Sequence, residues 1–336
     1  MSEKILTVTI PSYNTSKFID KNLPSFLNLE ILDELEILII NDGSRDNTAE
    51  IAKKYENKYP NTIRLINKEN GGHGSVVNKG IELSKGKYFK VVDGDDWVDT
   101  SNLGNLVNSL KTIDADLVIN PYYFVYENSR NKKEIKFEAP SYGKVLCFDS
   151  VCENYQKLPI HAITYKTSVL RENKIKVREN CFYEDNEYDL FPIPFIDTVV
   201  IFDYPIYYYL IAQKNQSVSD ENTLKNSQMF YSVIQDCINR LDHNLDNMTD
   251  NKCDYIVRTI LELIRSQYNI YLRNGDNPDS YKLMKDFNES LKNKYPDYYG
   301  LVGQKYRYIK MIQNKNYACF KMASLALKTY KFLTMK

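Results

Sequence analysis

The chain has 336 residues, too many for one typical hydrophobic core, so a larger and a smaller domain are expected. Its formal net charge is zero, which argues against a dedicated nucleic-acid binder. No apolar run is long enough to span a membrane, the polar start does not read as a signal peptide, and the six cysteines show no CxxC spacing and read as reduced thiols of a cytoplasmic protein.

Along the chain, residues 5–10 read as a first strand, 16–29 as a helix and 35–40 as a second strand. That second run is almost wholly apolar, as expected where both sheet faces are covered. Residues 46–59 follow as a helix with Asp46 as N-cap, then 62–66 as a strand, 75–84 as a helix and 88–92 as a fourth strand. The alternation implies an α/β doubly wound sheet with helices on both faces. From about Asp116 the strands shorten and the loops become aromatic; 162–165 and 198–209 read as strands and 186–195 as a helix. Beyond 220 every segment has helical period and is rich in Tyr and Lys, so the expected domains are 1–220 and 221–336.

The fourth strand ends in Asp93-Gly94-Asp95-Asp96-Trp97. Three acids in four residues repel one another unless a cation neutralises them, and hard carboxylate oxygens suit Mg²⁺ or Mn²⁺ bridging a phosphorylated ligand. A solvated acidic turn, with Asp99 or Ser101 capping the next helix, is the competing reading. The other strands also deliver polar or glycine-rich turns to the same sheet edge: Pro11-Ser12-Tyr13-Asn14, Asn41-Asp42-Gly43-Ser44, and Asn70-Gly71-Gly72-His73-Gly74. Convergence of such turns on one edge makes a nucleotide crevice.

In this order and spacing the four motifs resemble those of the family 2 glycosyltransferases of GT-A fold, over about residues 4–215. The resemblance implies an inverting transfer from a nucleotide sugar, most readily a UDP-sugar, to a hydroxyl of a glycan or lipid-linked acceptor. It implies that Pro11, Tyr13 and Asn14 line the base pocket and that Asp42 accepts from the uracil imide. Gly71, Asn78 and Gly94 would border the nucleotide, Asp93 would hold the ribose, and Asp95, supported by Asp96, would bind the metal. In Tyr183-Glu184-Asp185, Asp185 is the implied general base, with Glu184 orienting the acceptor. The family usually has an Arg before the Asn of the third motif. Here Val77 stands there, and the phosphate contact credited to that Arg has no counterpart at this position. Lys214, Gln216 and Ser217 would form a lid over the donor. His73, in the glycine turn, and His161, ahead of a strand on the acceptor side, are further substrate candidates.

Two other functions compete. A sugar-phosphate nucleotidyltransferase would want a glycine-rich basic loop after the first strand, which Pro11 to Asn14 is not. A non-catalytic nucleotide-sugar-binding scaffold would have no need of Asp93, Asp95 and Asp185. After Asp297 there is no acid but eight Lys and Arg, interleaved with Tyr and aliphatic residues. A basic, partly apolar segment of this kind, 305–336, would contact the anionic inner face of the plasma membrane, against the alternative of a packed helical domain.

Overall fold

The structure, a computed structural model, describes residues 3–126, 131–211, 220–245, 248–313 and 317–334. Strands β1 (Leu6–Ser12), β2 (Leu35–Asp42), β3 (Ile63–Lys68) and β4 (Tyr88–Val91) lie parallel in the order β3-β2-β1-β4. Every residue of β1, β2 and β4 is buried, as their apolar runs require. The helices Thr48–Lys58 and His73–Leu83 connect them. The remaining strands are β5 (Trp97–Val98), β6 (Leu117–Ile119), β7 (Tyr122–Tyr126), β8 (Lys132–Ile135), β9 (Val145–Cys147), β10 (Ile163–Lys166), β11 (Thr198–Ile201) and β12 (Tyr207–Ile211). The main sheet continues from β4 through β10, β6, β11 and β9, with β10 antiparallel to both neighbours. A second sheet has the order β5-β12-β7-β8. This is the doubly wound GT-A arrangement, accompanied by a helical C-terminal region.

Several expected elements change for local reasons. The single strand expected over 198–209 breaks at Asp203-Tyr204-Pro205, and its halves, β11 and β12, join different sheets. The helix expected over 186–195 is Asp185–Leu190 followed by a separate turn at Ile193–Phe195, because Pro192 and Pro194 have no N–H to continue the ladder. The helix expected over 16–29 shortens to Ile19–Ser25, which contains Pro24. Asp46 accepts from the Thr48 N–H and hydroxyl at 3.0 and 2.5 Å, although the residue flanking that helix is Asn47. Asp99 caps the helix Thr100–Leu110, accepting from the Asn102 N–H at 3.0 Å.

The chain divides into two compact units, Met1–Lys214 with Asp246–Tyr255, and Asn215–Leu245 with Ile256–Lys336. A single cut at 220 does not describe this, because Asp246–Tyr255 returns to the first unit. There Lys252 pairs with Asp197 at 3.0 Å, the Tyr255 hydroxyl accepts the Leu158 N–H at 3.2 Å, and the Tyr255 ring meets Phe148 edge-on at 5.8 Å. The second unit is helical. Phe287 is central to it, touched by Tyr231, Tyr268 and Tyr271 at centroid distances of 4.9, 5.0 and 5.9 Å.

Charged side chains are also buried in the central sheet, Glu36 of β2 and Lys90 of β4 among them. Lys90, in the middle of β4, is fully buried, and its ammonium donates to the His161 and Ile163 carbonyls at 3.0 and 3.1 Å. These carbonyls lie where the chain enters β10. Burial pulls the Lys90 pKa from 10.5 down to about 7. The unfolded chain therefore binds one more proton than the fold between those two values, so stability rises with pH across that window, by up to about 1.4 kcal/mol per pH unit. Below pH 7 the burial cost is fully present. Urea midpoints measured from pH 6 to 10 should show this rise in the wild type and lose it in Lys90→Met. A flat difference between the two profiles would mean that Lys90 titrates as an exposed lysine does.

Candidate active site

At the carboxyl edge of the sheet, the pairing of β1 with β4 ends at Thr9 and Val91, and the two chains separate. Pro11, two residues beyond Thr9, faces the gap on the same side and has no N–H to leave unpaired there. The acidic turn occupies this gap. Asp96 N–H bonds to the Asp93 carbonyl at 3.0 Å, and the Asn22 amide donates to the carbonyls of Asp93 and Asp96 at 3.1 and 2.7 Å. At Gly94 a Cβ would fall 2.6 Å from the Pro11 carbonyl oxygen, so the turn can sit this close to β1 only with glycine. From the other side, the Tyr207 hydroxyl donates to Asp96 at 2.6 Å and accepts the Asp93 N–H at 3.1 Å, while the Leu210 N–H bonds Asp96 at 2.7 Å. Burial, together with Asp93 and Asp95, pushes the Asp96 carboxyl well above the usual range.

The two acidic motifs meet through His73. Its Nε2 lies 2.9 Å from Asp93 and its Nδ1 lies 2.7 Å from Glu184. Burial alone would lower the imidazole, but the two carboxylates hold it well above its usual pKa. Glu184 directly precedes the helix Asp185–Leu190. In this helix the acids are sorted by environment. Glu184 is buried against His73, and Glu187 is buried, accepting the Arg178 N–H at 2.6 Å. Asp189 is buried 3.1 Å from Lys157, and burial pushes it up to about 7. Asp185 is 43% exposed, with Lys157 at 3.9 Å. Of these four carboxylates it is the one a substrate can reach.

His161 stands beside the acidic turn. Its ring packs at a tilt against Tyr209 and Tyr207, with centroids 4.2 and 4.8 Å away, and its ligand nitrogen lies with oxygens of Asp93 and Asp96, all within 4.8 Å of one another. Burial lowers its pKa to about 4, so the ring is neutral, and its Nδ1 has no hydrogen-bond partner among the described residues. Two carboxylates and a neutral imidazole with an unengaged nitrogen form a donor set that fits a divalent cation. Asp96, one of the two expected metal ligands, belongs to this group with Asp93 and His161; Asp95, the other, is not among these three.

Other expected nucleotide contacts hold the scaffold. The Asp42 carboxylate is buried and accepts from Lys68 at 2.5 Å and from the Gly71 and Gly72 N–H groups at 3.0 and 2.9 Å. It therefore fixes the glycine turn. Gly71 closes the same turn through its carbonyl, which accepts the Asn180 N–H at 2.7 Å. Asn78 donates to the Val177 carbonyl at 2.9 Å and accepts the Val177 N–H at 3.0 Å, so its amide holds the segment before the second acidic motif. Asn14, at φ 55°, joins the first two motifs by accepting the Arg45 N–H at 2.8 Å. Tyr13 is 48% exposed at the rim. The lid residues Lys214, Gln216 and Ser217 lie outside the described residues.

The sequence reasoning missed Tyr207, Tyr209, Lys157 and Lys90. Tyr209 is surrounded by the site: burial and the carboxylates of Asp96, Asp93, Asp95 and Asp185 all push its hydroxyl pKa up. The available signal was the alternation in Tyr207-Tyr208-Tyr209. The outer two face the acids, whereas Tyr208 stacks on Trp97 and Tyr123 at 5.5 and 5.0 Å on the other side of the second sheet.

This fold and this arrangement of motifs have counterparts. An uncharacterized glycosyltransferase of Mycoplasma pneumoniae, the MG025 homolog, is 36% identical over 147 residues, 42% of this chain and 45% of the relative. The minor teichoic acid biosynthesis protein GgaB of Bacillus subtilis is 31% identical over 183 residues, 52% of this chain and 19% of GgaB. The chain thus spans less than half the length of these curated relatives. Among solved structures, Staphylococcus aureus TarS 1–349 in complex with UDP-GlcNAc superposes with a TM-score of 0.67 over 97% of this chain and 92% of TarS 1–349, at 17% identity, a likeness of fold. Residues 7–177 match the description Glycosyl transferase family 2, and with half of its length so matched the chain belongs to that family.

Proposed function

We propose that the protein is an inverting glycosyltransferase that moves a sugar from a UDP-sugar to a hydroxyl of a glycan or lipid-linked acceptor in cell-surface polysaccharide synthesis. One observation carries this reading: His73 ties the Asp93 turn to Glu184, so the exposed Asp185 stands at the same site as the strand-end acids. The named chemistry of TarS, with its UDP-GlcNAc, and of GgaB, in teichoic acid biosynthesis, supports the donor and product classes.

In this mechanism the nucleotide lies over the carboxyl ends of β1 and β4, with the turn from Asp93 to Asp96 held rigid by Asn22 and Tyr207. Asp93, Asp96 and His161 would hold Mn²⁺ or Mg²⁺, which when bound supplies charge neutralisation for the departing diphosphate. Asp185 accepts the proton of the acceptor hydroxyl as its oxygen attacks the anomeric carbon opposite the leaving group; the glycosidic bond to the diphosphate breaks and the configuration inverts. Tyr209, between the acids and the base, bounds the space for the transferred sugar.

The C-terminal segment is proposed to dock reversibly on an anionic membrane surface, placing a cytoplasmic enzyme beside lipid-linked acceptors. Ile309 and Phe320 are buried, but Met311, Met322 and Leu325 are 48, 65 and 68% exposed, and Arg307 and Lys310, in the same helix as Met311, are exposed too. Met322 and Leu325, three residues apart, share a face of the helix Tyr317–Thr334. Among the described residues no helix is long and apolar enough to cross a membrane.

Three outcomes test this reading. Against a panel of UDP-sugars with Mn²⁺, the wild type should release UDP, and Asp185→Asn should lose roughly 10²–10⁴-fold in turnover, the usual worth of a general base. Calorimetry should show unchanged UDP binding in that variant; lost UDP binding would move Asp185 into the donor site. For the metal, turnover should stop in EDTA, and Mn²⁺ affinity by titration should fall in His161→Ala and much less in Asp95→Ala. The reverse order would make Asp95 the ligand and remove His161. For the tail, each basic residue near an anionic surface contributes about 1 kcal/mol, screened by salt. Arg307→Glu with Lys310→Glu should therefore weaken binding to anionic vesicles. Lys321 is a poor choice for this test, because its ammonium already bonds the Gly275 carbonyl at 2.7 Å. Equal partitioning of variant and wild type would leave the tail as packed structure alone.

A further inference from the structure

We propose that His73 is a positioning residue for transfer: its ring is the link that fixes the distance between the donor-side acid Asp93 and the acceptor-side acid Glu184. The inference rests on the glycosyltransferase reading above. Both ring nitrogens stand against carboxylates: Nε2 hydrogen-bonds Asp93 at 2.9 Å, and Nδ1 forms an ion-pair contact with Glu184 at 2.7 Å. The two acids come from distant parts of the chain, one from the turn after β4 and the other from the start of the helix Asp185–Leu190.

The local fold is arranged to bring the ring there. His73 opens the helix His73–Leu83, directly after Gly72 at φ 80°. At Gly74 a Cβ would lie 2.0 Å from the Arg178 carbonyl oxygen and 3.0 Å from the Glu184 Cγ, so glycine lets the helix start abut the segment leading to Glu184. The Asn180 N–H closes the same contact on the Gly71 carbonyl at 2.7 Å. A helix N-terminus is an unfavourable place for a cationic ring, so local helix stability does not account for a histidine here. The two carboxylates do.

Asp185 follows Glu184 in the chain. A shift of Glu184 therefore carries the base with it, and displacements of about 1 Å at a reacting centre can cost about 10²-fold in rate. Removing the link should act on turnover and leave the nucleotide contacts in place.

The test is a double-mutant cycle of His73→Asn and Glu184→Met, read by turnover of UDP-sugar, by calorimetric UDP affinity and by urea unfolding. Each single variant should lower kcat by roughly 10–100-fold, as loss of an orienting partner does, with UDP affinity kept within a few-fold. The double variant should be no worse than the poorer single one, and the urea midpoints should show the same coupling. Additive effects in both readouts would overturn the proposal, as would unchanged kcat. Loss of UDP affinity in step with turnover would overturn it too, making His73 a donor contact. If His73→Asn does not fold, Glu184→Met decides from the other end of the link: lowered kcat with UDP affinity kept supports the proposal, and wild-type turnover overturns it. Should the wild type release no UDP from any donor, the functional reading fails. The urea cycle needs no substrate and then decides the link by itself, coupling sustaining it and additivity removing it.

Discussion

Crowding of negative charge is the constraint on which the rest of this site depends. Asp93, Asp95 and Asp96 share one turn, and Glu184 and Asp185 come within reach of it through His73. Two like charges 4 Å apart repel by about 4 kcal/mol in a surface-like dielectric, comparable with the whole stability of a domain. Asp93, Asp96, Glu184 and Asp185 are accordingly each met by a donor. His73 lies between Asp93 and Glu184, Asp96 takes the Tyr207 hydroxyl and the Leu210 N–H, and Lys157 stands between Asp185 and Asp189. These donors come from the helix His73–Leu83, from β12 and from the loop before β10, so the acids cannot be gathered until those elements are in place. The architecture around the sheet edge follows from this need.

The same constraint explains why familiar motif residues serve here as scaffold. Asp42 lies at the end of β2, where its oxygens take Lys68 and two backbone N–H groups, which shapes the glycine turn that carries His73. Asn78, one helical turn beyond, ties down Val177 in the segment that leads to Glu184. Thus the second and third motifs act on the fourth and on the second acidic motif mainly by setting where His73 sits.

Much of this was legible in the sequence where the signal is short-range. The first four strands, their intervening helices and the strand-end acids follow from apolar runs broken by polar turns. What was not legible depends on strand direction and distant packing. His161 comes before β10, and β10 runs antiparallel to β4, so the entry of β10 lies at the edge where β4 ends. A sheet assumed parallel throughout would send His161 to the opposite edge. The break of 198–209 into β11 and β12 was hidden for a similar reason: both halves are apolar and aromatic, and only the second sheet distinguishes them. Lys90 stood in plain view inside an apolar strand, but its partners are backbone carbonyls of the β10 entry, which no local pattern reveals.

The second acidic motif shows how burial, rather than residue type, assigns chemistry. Four carboxylates lie between Glu184 and Asp189, and helical spacing would put Asp185 and Asp189 on one face. The helix is only six residues long and is packed on that face, so Asp189 is buried and Asp185 remains 43% exposed. Lys157 reaches both, at 3.9 Å from Asp185 and 3.1 Å from Asp189. Since burial pushes Asp189 up to about 7, it is neutral in more acidic solution and leaves the lysine's charge to Asp185. As pH rises through that value Asp189 ionises and takes the nearer share of Lys157. Two acids one helical turn apart thus end in different surroundings, one closed on Lys157 and one open to solvent.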